Sequence, residues 1–175
     1  MARELIDAAV LVPVYRDAAG ELRVVLVRRT EGGPHGGQIA FPGGKLDATD
    51  GSLRDAALRE ASEEIGLPPE SVTVLAELGA LETRVSGFRI HPFLARVVRP
   101  AEWRVAEREV AEVLEPRIRD LADPRHQDAA MERFPLWPEP VRIEFIRIGT
   151  HRLWGATHRI LKPLLPQLLD GAWGF

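Results

Sequence analysis

Cysteine is absent from the 175 residues, and lysine, methionine and tyrosine are scarce. Without cysteine the chain has no disulfide, no thiolate zinc site and no cysteine nucleophile. No apolar run approaches about 18 residues, and positions 1 to 12 have no long apolar segment behind a basic start, so the sequence predicts neither a membrane span nor a signal peptide. The cytoplasm is therefore the expected location.

An excess of basic charge is also lacking. The net charge is -3 at pH 7, which argues against general nucleic-acid binding. Only Lys45 and Lys162 among the 23 basic side chains are lysine, and arginine is the better bidentate partner for phosphate. The base composition of the source genome explains this bias equally well. The length and the 45% of hydrophobic residues predict one globular domain over residues 1–175.

The hydrophobic pattern predicts an α/β fold. Strands are expected at 8–15, 22–27, 72–81, 88–98, 109–114 and 141–148, the first two as a hairpin or an adjacent pair. Helices are expected from 52 to 66 and from about 156 to 169, with the second half of the latter interrupted by prolines. The stretch from 116 to 140 is expected to form a short helix and an irregular loop. Strands with helices before and after them fit an α/β/α sandwich around a mixed β-sheet.

The helix expected at 52–66 begins and ends with clear signals. Ser52 and Asp55 have the S-x-x-D spacing of a capping box. Gly66 tolerates the left-handed conformation at a helix end, and two prolines follow Leu67. At roughly 100° per residue, Ala57, Leu58, Ala61 and Ile65 form an apolar face beside three carboxylates.

The three carboxylates are Glu60, Glu63 and Glu64, which fall within one arc of about 100°. An isolated run of this kind is usually a solvated helix face. Close like charges repel, however, and a divalent cation such as Mg²⁺ removes the conflict because it takes carboxylate oxygens and keeps sites for phosphates. Arg59 lies four residues before Glu63 and is placed to hold that carboxylate.

The run from Arg59 to Leu67, preceded by Pro42-Gly43-Gly44, strongly resembles the Nudix box, G-x5-E-x7-R-E-U-x-E-E-x-G-U with U aliphatic. The first U is the small Ala61. Asp50 replaces the first glutamate, and eight residues rather than seven separate it from Arg59, so the role of Asp50 stays open. The resemblance implies a mixed sheet between helices and hydrolysis of a nucleoside diphosphate linked to another group.

Residues outside this box resemble one subfamily. Residues 26–44 are similar to the segment L-L-T-R-S-x3-R-x3-G-x3-F-P-G-G that marks coenzyme A diphosphatases; Leu26, Arg29, Gly37 and 41–44 match it. The segment is one residue short, and its second arginine is missing. Residues 86–93, 109–113 and 153–157 also look like that subfamily, so the likeness extends from about 26 to 164.

The resemblance implies a set of site residues. One to three Mg²⁺ or Mn²⁺ ions are expected at Glu60 and Glu64, with Glu63 nearby and a carbonyl of Gly43 or Gly44 as a further ligand. Catalytic roles are expected for Arg59, Glu63, Glu64 and Glu109, and the general base is open among the three glutamates. Substrate contacts are expected from Arg29, Gln38, Phe41, Arg84, Arg89 and His91. Arg29, Arg84, Arg89 and His91 are also the candidates for the 3′-phosphate of coenzyme A.

The interpretation has alternatives. The nearest is a hydrolase of ADP-ribose, NADH or a dinucleoside polyphosphate; others are a nucleotide-binding sensor without activity and a scaffold with an acidic helix. Trp137, Trp154 and Trp173 are candidates to stack an adenine, although core packing is the simpler role for any one of them. The expected partner is a small nucleotide, and the apolar stretch 134–148 is a candidate surface for a homodimer.

Overall fold

The computed structural model describes residues 5–32, 35–83, 86–135 and 137–175. The strands in these ranges are β1 Ile6–Arg16, β2 Leu22–Val24, β3 Leu26–Arg29, β4 Ile39–Ala40, β5 Gly43–Lys45, β6 Val72–Glu77, β7 Leu81–Thr83, β8 Phe88–Val97, β9 Val110–Leu114, β10 Gln127–Glu132, β11 Val141–Ile148 and β12 His151–Trp154. The α-helices are α1 Leu53–Ile65, α2 Ile118–Ala122, α3 Gly155–Leu161 and α4 Leu164–Leu169. No helix in the described ranges is long and apolar enough to cross a membrane.

The longest strand, β1, organises the main sheet. It pairs in parallel with β8 and antiparallel with β2 and β5, while β6 and β7 pair antiparallel with β8. Two antiparallel sheets of three strands accompany it, in the orders β10-β11-β12 and β4-β3-β9. The mixed sheet, the α/β class and the first hairpin are therefore confirmed.

Strand β1 is buried on both faces, since its side chains alternate between two cores. Leu11 belongs to the core that contains Ala57 and Ala61 of α1. Val12 belongs to the opposite core, which contains Leu161 of α3 and Leu165 of α4. Helices thus cover both faces of the main sheet, which is the predicted sandwich.

Helix α1 begins and ends where its signals predict. Oγ of the N-cap Ser52 accepts a hydrogen bond of 3.1 Å from the Asp55 backbone N–H. Gly66 adopts a φ of 68°, and its N–H donates to the Ser62 carbonyl at 3.0 Å. Of the predicted apolar face, Ala57, Ala61 and Ile65 are buried and Leu58 is partly buried. The helix therefore packs on the sheet, and its acidic face has a fixed position.

Several predicted elements are divided or were missed. The strand expected at 22–27 breaks at Val25, whose N–H donates to the Pro13 carbonyl at 2.9 Å. The strand expected at 72–81 forms β6 and β7, and the last helix divides into α3 and α4 because Pro163 caps a new start. Strand β12 was not predicted, and β10 replaces part of the expected loop. Its QDAAME sequence has little β propensity, so pairing with β11 decides its conformation.

His158 on α3 gives the fold a dependence on pH. Burial lowers the pKa of its imidazole below 6.5, and Lys162 acts in the same direction. The unfolded chain therefore takes up a proton near pH 6.5 that the folded chain accepts only at lower pH. Consequently the contribution of His158 to the free energy of unfolding falls as the pH drops from about 7 towards about 5.

We expect the free energy of unfolding of His158→Phe to fall less than that of the wild type when the pH is lowered. Urea unfolding at about pH 5 and about pH 7.5 measures the difference for each variant. The exposed His126, changed to Gln, is the matched control and should behave like the wild type. An unchanged difference in His158→Phe would contradict the assignment.

Candidate active site

Two glycines bring strand β5 against β1 and α1. Gly43 and Gly44 pair with Val10 and Ala9 of β1. A Cβ on Gly43 would lie 2.3 Å from the Ala9 carbonyl oxygen, and a Cβ on Gly44 would lie 2.4 Å from Oε1 of Glu60. The absence of both side chains therefore lets the backbone approach a carboxylate of the helix.

Glu64 is the most buried acid of the helix, with 2% of its side chain exposed. Its Oε2 accepts a hydrogen bond of 3.1 Å from the Gly43 N–H, and its Oε1 lies 3.8 Å from the guanidinium of Arg29. Burial raises the pKa of Glu64 to about 7, although Arg29 and the Gly43 N–H act to lower it. A buried carboxylate held this way is set up to receive a positive partner.

Glu60 and Glu109 line the same cavity as Glu64. The side chain of Glu60 is 16% exposed, and burial raises its pKa while Arg59 lowers it. The negative charge of Glu109 raises the pKa of both Glu60 and Glu64. Three acids from two segments thus place a negative potential in one cavity.

Arg59 ties the helix to the loop before it. Its Nε and Nη2 bond the two carboxylate oxygens of Asp50 at 2.8 and 2.9 Å. Its Nη1 bonds Glu60 at 3.0 Å and Glu63 at 3.2 Å, and its Nη2 donates to the Lys45 carbonyl at 3.3 Å. The pKa of Asp50 falls to about 2, mainly through Arg59. Asp50 therefore positions Arg59, which answers the question that its spacing left open.

The cavity has a volume of about 370 Å³ and lies between β1, β5, α1 and the start of α3. It brings together most residues that the sequence proposed for the site: Arg29, Gln38, Phe41, Gly44, Glu60, Glu64 and Glu109. Phe41 is almost fully buried. Glu63 is 61% exposed and faces Arg59 instead of the cavity.

Two proposed substrate contacts lie elsewhere. Arg89 pairs with Glu82 at 3.2 Å, and His91 pairs with Asp7 at 3.0 Å. Neither residue lines the cavity, and their contact with substrate stays a prediction. Arg84 lies outside the described residues.

The donor set fits a hard divalent cation. Glu60, Glu64 and the Gly43 carbonyl, which lies 3.5 Å from Arg29, supply oxygen atoms. Mg²⁺ is commonly bound through one or two carboxylates together with substrate phosphates. In the described part of the chain no three histidine or acidic side chains form a ready-made metal cluster. Glu63 is exposed and bonded to Arg59, and its place among the metal ligands stays a prediction.

The sequence did not single out Lys45 or His35, which also line the cavity. Lys45 had an available signal, because it directly follows the Gly43-Gly44 turn. His35 had only a glycine-rich surrounding, which is a weak signal. Both add nitrogen donors to a cavity whose other charged groups are mostly acidic.

Comparisons with known proteins place the chain in a family. Residues 5–137 match the family model described as the NUDIX domain. A Nudix hydrolase from Salmonella paratyphi B, called NudL and described as uncharacterized, is 35% identical over 176 residues, covering 93% of this chain and 82% of that protein.

Solved structures share the fold. The MutT protein of Methanosarcina mazei superposes with a TM-score of 0.62 at 16% identity, covering 97% of this chain and 99% of that one. The NUDIX domain of Shewanella oneidensis NrtR, solved with ADP ribose, superposes with a TM-score of 0.52 at 20% identity over 66% of this chain and 75% of that one.

Proposed function

The chain belongs to the Nudix hydrolases, which act on nucleoside diphosphate derivatives, and from this premise we propose that its substrate is coenzyme A or a coenzyme A thioester. Water would break the diphosphate to give 3′,5′-ADP and 4′-phosphopantetheine or its acyl form. Mg²⁺, or Mn²⁺ in its place, is the proposed cofactor. The proposal places the reaction in the cytoplasm, as the sequence predicts.

The observation that carries the proposal is the position of Arg29. It is a matching residue of the segment that resembles coenzyme A diphosphatases, and its guanidinium lies 3.8 Å from Glu64 and 3.5 Å from the Gly43 carbonyl. The same segment ends in Phe41 to Gly44, which forms the cavity wall. The subfamily segment and the acidic helix therefore meet at one place.

The residues have separate tasks in this proposal. Glu60, Glu64 and a carbonyl of Gly43 or Gly44 would hold the cation, which when bound neutralises diphosphate charge and lowers the pKa of a water. Arg29 is placed to bind a phosphate oxygen beside them. Arg59 keeps Glu60 in position through its bond to Asp50.

Glu109 is the best placed of the three candidate bases. It lines the cavity and is exposed, whereas Glu64 is bonded to Gly43 and Glu63 to Arg59. No basic side chain lies within 4 Å of Glu109 in the described ranges, so no ion pair holds its carboxylate. It would take the proton from the attacking water as the bond from phosphorus to the bridging oxygen breaks.

The test is product analysis by liquid chromatography and mass spectrometry. The protein is incubated with Mg²⁺ and, separately, with coenzyme A, ADP-ribose and NADH. We expect 3′,5′-ADP from coenzyme A and much slower turnover of the other two. Faster cleavage of ADP-ribose or NADH would reject coenzyme A as the substrate and keep the diphosphate chemistry.

We expect Asp50→Asn to lower kcat by about 10- to 100-fold, the range typical for residues that orient metal ligands. The amide offers one acceptor oxygen where Arg59 now bonds two, so Glu60 and Glu63 lose their fixed partner. Steady-state kinetics measure the effect. Asp47→Asn is the control, since that carboxylate accepts from Thr49 within its own turn. Equal kcat values in the two variants would exclude this role for Asp50.

A further inference from the structure

A second cavity of about 790 Å³ adjoins the catalytic one. The two cavities share Thr83, Ser86 and Trp154 in their walls. A substrate whose diphosphate lies at Glu60 and Glu64 therefore has a neighbouring space for one of its two ends.

The second cavity carries an aromatic platform. The Phe134 ring stacks on Trp154, with centroids 5.6 Å apart and planes at 26°, and lies 6.3 Å from Trp137. Trp137 is 38% exposed, so the cluster is open to a ligand. A planar base is stabilised by stacking on such side chains.

The charged side chain of this cavity that has no ion-pair partner among the described residues is a cation, Arg159. The two carboxylates of the cavity already have partners: Glu144 is bonded to Lys162 at 2.6 Å, and Glu82 pairs with Arg89 at 3.2 Å. Arg159 of α3 is exposed and lines the cavity. Among the described residues no carboxylate lies within 4 Å of its guanidinium. An anionic group on the ligand would have Arg159 as its partner.

We infer that this cavity binds the phosphorylated nucleoside half of the substrate, with the base on the Phe134–Trp154 platform and the ribose phosphate at Arg159. The inference rests on the proposed function, since it concerns the far end of the same substrate. The pantetheine arm is flexible and uncharged, so neither a stacking platform nor a free guanidinium would help to bind it. Arg29, the earlier candidate for the 3′-phosphate, lies beside Glu64, where the proposed function places the diphosphate.

Calorimetric titration of the whole protein with adenosine 3′,5′-bisphosphate and with 5′-AMP tests the inference without turnover. We expect the bisphosphate to bind the wild type about tenfold more tightly, as one charge-assisted contact allows. Arg159→Ala should reduce that preference to about twofold or less. Arg54→Ala, at another exposed helical arginine, should keep it. Phe134→Leu should weaken both ligands by a similar factor and leave the ratio unchanged.

Two results would overturn the inference. One is that the wild type binds the bisphosphate no more tightly than 5′-AMP, and the other is that Arg159→Ala keeps the full preference for the bisphosphate. Turnover of coenzyme A is measured separately on the same variants. If coenzyme A is not cleaved while the Arg159-dependent preference is present, the proposed substrate fails and the binding site stands. If coenzyme A is cleaved and Arg159→Ala leaves its KM unchanged, the binding site fails and the substrate stands.

Discussion

Glu64→Gln is expected to lower turnover by about a thousandfold at saturating Mg²⁺. The cation's stabilisation of charge in the transition state is worth several kcal/mol, and each 1.4 kcal/mol corresponds to a factor of ten. The amide oxygen can still accept the hydrogen bond from Gly43, so the fold should persist. Kinetics of the two proteins at several Mg²⁺ concentrations measure the loss, with the exposed Glu70→Gln as control. Wild-type turnover in Glu64→Gln would remove the acidic helix from the mechanism.

The same variant should be more stable than the wild type when metal is removed with EDTA. The pKa of Glu64 is about 7 in the fold and 4.5 in the unfolded chain, so its contribution to stability falls as the pH rises from about 4.5 to about 7. Gln does not ionise, so the variant avoids this loss of free energy of unfolding, which is roughly 1 to 3 kcal/mol. Thermal unfolding at about pH 8 should show the gain, and at about pH 4.5 the two proteins should be nearly equal.

Alanine at Gly43 should lower the stability of the protein, whereas alanine at Gly44 should lower turnover and leave stability nearly unchanged. At Gly43 the new Cβ meets backbone atoms of β1, at 2.3 Å from the Ala9 carbonyl oxygen. Backbone cannot move aside cheaply, so we expect Gly43→Ala to destabilise the protein by about 3 kcal/mol or more. Its melting temperature and soluble yield should both fall.

At Gly44 the new Cβ meets the carboxylate of Glu60, which is the end of a flexible side chain. Glu60 can turn away, so Gly44→Ala should keep the melting temperature within a few degrees and lose most of its turnover. Thermal unfolding and kinetics of both variants make the comparison. Equal losses of stability in the two variants would mean that β5 is not held as described.

Local rules made α1 predictable from the sequence. Ser52 at one end and Gly66 at the other specify the helix through contacts within a few residues. The exposure of its three acids was not predictable in this way. Glu60, Glu63 and Glu64 share one arc, yet their side chains are 16%, 61% and 2% exposed, because β5 covers one side of the arc only. That cover is a contact between segments distant in sequence.

Strand register explains why two predicted substrate contacts do not line the cavity. Arg89 and His91 lie on β8, opposite Asp7 and Ala9 of β1 in a parallel ladder. A shift of one residue in such a ladder moves every side chain to the other face, and nothing in the local sequence sets that shift. The glycines, Arg29 and three of the acids that the sequence proposed line one cavity, whereas the sequence did not decide which neighbouring cations face it.

The contact between Asp50 and Arg59 shows how loop length and side-chain length compensate. One residue more than the family pattern separates acid from arginine, the acid is shorter by one methylene, and both carboxylate oxygens still reach the guanidinium. A database search that requires the family's fixed spacing would pass over this chain. For protein engineering, the interchangeable unit is the whole loop with its acid, because exchanging Asp50 for Glu alone changes one length without the other.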